Sequence, residues 1–292
     1  MEIGGKSIEL REGEPLDIYY LGDIHEGEIN CDHDALNEAV KQINKNANKD
    51  KRKTAVVLMG DLINCIVHSD KKRFNPAEFD RYYAIHDLVD LPHKQAERVG
   101  KLLSPINNLV DVILIGNHEE EYIKRHNFNV YKDIYDNYKS AVPLGYVGLF
   151  RYNVNIKGDS TSMVLDLALN HGSGSSVGDL PGAAINKTFK LFSWFDADIS
   201  VMGHIHRLSA EPGEVIALNS TGSNLRRQRK WWGSSGCFLK TYEPGNRNYF
   251  EDKGKKPSDI GMLKSTTEFR RKSIDGKRIW AKESKLERIF IG

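Results

Sequence analysis

The chain has 292 residues, of which 39% are hydrophobic and 28% charged, with only 9 prolines. That apolar content is too high for a disordered chain, and a chain of this length buries roughly three quarters of its unfolded surface without staples. The net charge of +2 argues against a purely polyanion-binding protein, yet residues 1–220 carry 24 Lys/Arg against 32 Asp/Glu, a net of −8, and residues 221–292 carry 18 against 8, a net of +10.

Leu16–Leu21 reads as a strand, with Asp17 inside it, and ends at Gly22-Asp23. A helix follows, opened by Asp32 or Asp34, with Leu36, Val40 and Ile43 at helical spacing. Thr54–Met59 is a continuous apolar run, as a strand buried on both faces requires, and ends at Gly60-Asp61. Residues 76–104 read as largely helical with a break near Pro92. Val110–Ile115 is a third buried strand, ending at Gly116-Asn117, and 119–139 reads as helical again. Tyr146–Ile156 and Met163–Leu169 alternate as strands, and the second ends at Asn170-His171. Ala183–Phe195 has a helical pattern, and the short strand Ile199–Met202 ends at Gly203-His204. Val215–Leu218 and Cys237–Tyr242 read as late strands, followed by a polar, basic stretch and a final segment Arg278–Ile291.

Strand, helix, strand, helices, strand is an order that favours a largely parallel sheet with helical crossovers. Ligands of such sheets bind outside the carboxyl ends of the strands. Five apolar runs end in a polar cluster there: Gly22-Asp23-Ile24-His25, Gly60-Asp61-Leu62-Ile63-Asn64, Gly116-Asn117-His118-Glu119, Asn170-His171-Gly172 and Gly203-His204-Ile205-His206. Carboxylate, amide and imidazole together suit Mn²⁺, Fe²⁺ or Zn²⁺ better than Ca²⁺. Two carboxylates, one amide and four imidazoles exceed what one ion can use, whereas a pair of ions ~3.5–4 Å apart would use them all. Taken alone, Asp23 or Asp61 is equally a helix N-cap, and His118 or His171 a loop histidine with its polar atoms satisfied. Only the ordered set removes those readings.

In sequence, D-x-H, G-D, G-N-H-E, H and G-H-x-H over residues 23–206 resemble the signature of the calcineurin-like metallophosphoesterase superfamily. The resemblance implies an α/β fold: a four-layer αββα sandwich of two mixed β-sheets flanked by helices. It implies that Asp23, His25 and His206 bind one divalent ion, that Asn117, His171 and His204 bind a second, and that Asp61 bridges them. A hydroxide between the ions would be the nucleophile, and His118 the catalytic general acid or a stabiliser of phosphoryl charge. Mn²⁺ is the first choice for both ions, with Fe²⁺, Zn²⁺, Ni²⁺ or Mg²⁺ as alternatives. The blocks are closest in style to phosphodiesterases and DNA-repair exonucleases. The Ser/Thr phosphatases of the superfamily carry G-D-x-V-D-R-G, and Gly60-Asp61-Leu62-Ile63-Asn64-Cys65-Ile66 lacks its Asp-Arg-Gly.

Arg226-Arg227-Gln228-Arg229-Lys230-Trp231-Trp232 sets four basic residues beside two tryptophans, a combination that suits phosphates and stacked bases. The alternative is a solvated charge run before a strand, with one Trp in the core. Arg226, Arg227, Arg229 and Trp231, with Arg207 beside His206, are the candidate substrate contacts. Glu119 is expected to cap the following helix or orient a ligand. Residues 1–245 would form the catalytic domain, and 246–292 a basic accessory segment near the site or loosely attached. The expected activity is two-metal hydrolysis of phosphodiesters in DNA, RNA or nucleotides. A phosphomonoesterase is the alternative, and a binding or scaffold protein without turnover the third reading. Cys31, Cys65 and Cys237 form no CxxC pair, and no stretch approaches the ~20 apolar residues of a membrane span, so a reduced, cytoplasmic setting is expected.

Overall fold

A computed structural model describes the chain apart from residues 50–51, 72, 76–78, 175–179, 181, 219–221, 246–250, 252–253 and 275–276. The strands are β1 (Glu2–Leu10), β2 (Leu16–Leu21), β3 (Lys53–Leu58), β4 (Val110–Ile113), β5 (Val142–Pro143), β6 (Val147–Ile156), β7 (Ser162–Asn170), β8 (Ile199–Met202), β9 (Leu208–Leu218), β10 (Leu225–Ser235), β11 (Gly261–Ile274) and β12 (Lys277–Phe290). The α-helices are α1 (His33–Ala47), α2 (Leu91–Leu102), α3 (Asn117–His126), α4 (Val130–Tyr135) and α5 (Ala183–Phe192). Two six-stranded mixed sheets result, ordered β1-β6-β7-β8-β10-β9 and β12-β11-β2-β3-β4-β5.

The apolar runs owe their continuity to burial on both faces. In β2, Tyr19 and Leu21 face one hydrophobic cluster, while Leu16, Ile18 and Tyr20 face another; in β3, Val56 and Leu58 oppose Ala55 and Val57 in the same way. The first cluster lies under α1, α2 and α4, the second fills the space between the sheets, and a third lies under α5. The layers are therefore helix, sheet, sheet, helix, the expected sandwich. Burying each Leu, Ile or Val side chain contributes about 1.5–3 kcal/mol.

The parallel β2-β3-β4 unit, crossed by α1 and α2, is as the sequence order implied. Asp32 is the N-cap of α1 and accepts from Ala35 N at 3.0 Å, worth about 1 kcal/mol. Pro92 does not break a helix. It lies in the first turn of α2, where the missing N–H has no partner to lose. Residues 79–84, read as helical, are not, and 76–78 lie outside the described residues.

The C-terminal third departs most from expectation. The basic run 226–232 is itself strand β10, and Cys237–Tyr242 contributes isolated bridges rather than a strand. The segment after 260, expected as an accessory or loosely attached stretch, supplies two strands of the second sheet. β11 pairs antiparallel with β2, with Leu263 opposite Tyr20, and β12 pairs with β11. Its inward positions include Ser265 and Thr267 beside Leu263 and Phe269, so hydroxyl residues blur the apolar alternation. Among the described residues no helix is long and apolar enough to cross a membrane.

Candidate metal centre

All five polar clusters leave strands that run towards one end of the sandwich, β2, β3 and β4 in one sheet and β7 and β8 in the other. Asp23, His25, Asp61, His204 and His206 have φ of +49°, +54°, +47°, +69° and +53°. This left-handed region costs a non-glycine residue about 1–2 kcal/mol, and strain concentrated in one place marks a functional site. The bends at His204 and His206 bring both rings inward.

Asp23 Oδ1 lies 3.4 Å from His206 Nε2, and His25 Nε2 lies 3.1 Å from the same atom. Asp61 Oδ2 lies 3.2 Å from His171 Nε2 and 4.0 Å from His25 Nε2. The Asn117 side-chain amide lies 2.6 Å from His204 Nδ1 and 3.2 Å from His171 Nε2. Asp23, His25 and His206 form one group whose ligand atoms lie within 4.8 Å of one another, Asp61, His171 and His204 a second, and His25, Asp61 and His118 a third. Asp61 therefore faces both sides of the site.

Backbone carbonyls fix the imidazoles. A carbonyl can only accept, so His171 Nδ1–H donates to Met59 O at 2.8 Å and presents Nε2. His204 Nε2–H donates to Gly174 O at 3.2 Å and presents Nδ1. His118 Nδ1–H donates to Asn64 O at 2.6 Å, and its ring packs edge-on at 4.7 Å from His25. Glu119, fully buried, accepts from the N–H groups of Asp61, Leu62, Ile63 and Gly116 at 3.2, 2.7, 3.1 and 2.9 Å. It both caps α3 and holds the Asp61 loop. Glu26, next to His25, accepts from Tyr83 Oη at 2.8 Å and Arg98 at 2.9 Å and meets His33 at 2.8 Å, tying the 80–98 region to the metal-facing loop. Sequence reasoning missed the Met59, Asn64 and Gly174 carbonyls, which carry no side-chain signal, and the anchoring by Glu26.

Burial lowers His25 well below the usual imidazole range, and the neighbouring His118 and His206 add to it. Burial alone would raise the Asp61 carboxyl, but His171 and His118 hold it well below the carboxylate range. Against its burial, His171 is raised to about 9 by Asp61, and His206 to about 10 by Cys237 and Asp23. Burial, then the Asp61 charge, pushes Glu119 up to about 7.

The donor set fits divalent cations. Two imidazole nitrogens facing each other at 3.1 Å need a proton or a cation between their lone pairs. Carboxylate, amide and imidazole meet in a mixed set of the kind that borderline divalent ions take. Gly116 leaves room for this approach, since a Cβ there would meet Asp61 Oδ1 at 2.1 Å.

Of the candidate substrate contacts, Trp231 and the arginines Arg226, Arg227 and Arg229 of β10 lie away from these groups. Trp231 packs between the sheets, and its Nε1 donates to Ser284 O at 2.8 Å. β10 runs parallel to β8, with Trp231 opposite Ile199 and Ser234 opposite Met202. The loops that carry the candidate ligands follow Met202, so Arg229 and Arg226 lie towards the opposite end, about 20 and 30 Å along the strand from Ser235. All three arginines are exposed but none reaches the ligand groups. Arg207 donates to Pro257 O at 2.7 Å and pairs with Asp259 at 3.2 Å.

A family model for calcineurin-like phosphoesterase matches residues 16–208. The chain belongs to this family, a family of metal-dependent hydrolases of phosphoester bonds. Strands β9 to β12 lie almost wholly beyond the matched region. Among solved structures, the chain is similar to a conserved uncharacterized protein of Streptococcus pneumoniae TIGR4, described as a predicted phosphoesterase, at 13% identity and a TM-score of 0.30 over 92% of this chain and 98% of that one. A comparison with curated proteins gave no match.

Proposed function

We propose that the chain is a two-metal phosphodiesterase acting on nucleic acid or nucleotides. The support is the convergence of two ligand groups on Asp61 with His118 beside them. Asp23, His25 and His206 would hold one divalent ion, Asn117, His171 and His204 the other, and Asp61 both, with Mn²⁺ the first choice. When bound, the ions supply Lewis acidity, drawing charge from the phosphoryl oxygens and lowering the pKa of water. The side chains do the rest. His171 and His204, each held by a carbonyl, keep one nitrogen aimed into the site. His118 has Nδ1 committed to Asn64 O, so only Nε2 exchanges a proton, and that proton goes to the leaving oxygen.

Charge around the site favours a diester. Two arginines close to the site are each held by an aspartate: Arg207, next to His206 in sequence, by Asp259 at 3.2 Å, and Arg73, whose charge acts on His118, by Asp70 at 2.7 Å. A monoester dianion carries one more charge than a diester and gains more from an uncommitted cation. The test is a panel run with Mn²⁺: bis-p-nitrophenyl phosphate, p-nitrophenyl phosphate, single- and double-stranded DNA, RNA and cyclic nucleotides. Diesters should be hydrolysed faster. Preference for p-nitrophenyl phosphate overturns the diester reading in favour of a phosphomonoesterase.

A further inference from the structure

We infer that the distal β9–β10 ribbon, with Trp194, is a binding surface for single-stranded nucleic acid at the end of the molecule opposite the metal centre. β10 pairs with β8 only over Trp231–Ser234. From Leu225 to Lys230 it pairs with β9 residues Gly213 to Leu218 alone, so a two-stranded ribbon about 20 Å long projects beyond β8. The burial alternation of a packed strand is lost there, and Arg226, Arg227 and Arg229 are exposed. The exposed carboxylate on this length is Glu214, which Arg227 meets at 3.1 Å. Such an exposed pair is worth about 0–1 kcal/mol and yields readily to a phosphate. Lys230 is buried and takes up Asp196.

The ribbon is not alone. The charge of Arg226 lowers the Asp196 carboxyl after Lys230 does, which puts this arginine near the start of β8. Two residues before Asp196 stands Trp194, 87% exposed, although tryptophan is ordinarily well buried. Ile216, Leu218 and Leu225 are also more than half exposed. Guanidinium groups match phosphate oxygens bidentately, an indole face stacks on an unpaired base, and apolar side chains lie against base edges.

This surface extends the nucleic-acid reading of the metal centre but is tested without it. Fluorescence anisotropy of the full chain with a fluorescein-labelled oligothymidylate, in EDTA and across a salt series, should show binding that weakens steeply with salt. Combined Arg226→Glu, Arg227→Glu and Arg229→Glu should weaken it at least about tenfold and flatten the salt slope. The corresponding Gln variant and Trp194→Ala should each weaken it several-fold, which guards against misfolding of the charge-reversed protein. Hydrolysis of bis-p-nitrophenyl phosphate should be unchanged in all three. No binding by the wild type, or equal binding by the variants, overturns the inference. So does a dimer that dissociates on ribbon substitution while oligonucleotide affinity stays the same. Binding without hydrolysis of any phosphoester would instead sink the activity reading alone.

Discussion

Glu119 holds Asp61 in place from 58 residues away: its Oε2 accepts the Asp61 backbone N–H at 3.2 Å. The same carboxylate receives three further N–H groups, from Leu62, Ile63 and Gly116. A Gln side chain offers one oxygen instead of two and turns an NH₂ towards donors. Glu119→Gln is therefore expected to lower stability by about 2–3 kcal/mol and metal affinity by about 10–100-fold. Thermal unfolding and metal titration check both. An unchanged metal affinity would show that the Asp61 loop needs no brace.

Metal uptake should release protons. The Asp61 carboxylate pushes His171 up to about 9, and Cys237 and Asp23 push His206 up to about 10, so both favour the protonated form before an ion enters. A ligand imidazole must be neutral, so loading expels these protons. Calorimetric titration in buffers of differing ionisation enthalpy should report about two protons per fully loaded chain. Proton release near zero would contradict the ligand roles of both residues.

Trp231 should behave as a core residue. Its ring lies between the sheets and its Nε1 is bonded to Ser284 O. Trp231→Ala is expected to cost about 3–5 kcal/mol in chemical denaturation while leaving KM for a soluble diester unchanged. A raised KM at unchanged stability would restore it as a substrate contact.

Asp17 gives the fold an acid-sensitive joint. The residue is fully buried in β2, accepts from Asn46 Nδ2 at 2.7 Å and Thr266 Oγ1 at 2.6 Å, and pairs with Arg52 and Lys264. Burial raises its carboxyl, but the hydrogen bonds and the Lys264 charge outweigh that, and the net direction is down from 3.8. A folded-state value below the unfolded one contributes stability above pH ~4, and that stability is lost as pH falls through the folded value. Asp17→Asn should destabilise the protein at pH 7 by about 3–5 kcal/mol and remove part of the acid slope below pH 4. An equal acid slope in both proteins would contradict this.

The clustering of the candidate ligands was legible in the sequence because each of these residues follows an apolar run, and strand ends in parallel sheets collect at one place. The central strands were legible for a related reason: with both faces buried, β2, β3 and β8 contain little but apolar residues. The hidden parts have equally physical causes. β11 uses Ser265 and Thr267 at inward positions, and β1 alternates exposed and half-buried residues, so neither shows an apolar run. The basic residues of β10 suggested a substrate contact because their composition is right. Strand direction, which no composition reveals, carries them away from the metal-facing loops. The left-handed bends at His204 and His206 were likewise invisible, since nothing in Gly203-His204-Ile205-His206 distinguishes extended from bent backbone.

Asp61 faces both ligand groups, so the most direct test is metal content and turnover of wild type and Asp61→Ala side by side. After reconstitution with Mn²⁺, the wild type should hold two ions per chain and hydrolyse bis-p-nitrophenyl phosphate. Asp61→Ala should lose at least one ion and about 10³-fold or more in kcat/KM, on the scale of the several kcal/mol a metal supplies. A wild type that binds two ions yet hydrolyses no phosphoester, or an Asp61→Ala protein as active as wild type, would contradict the account.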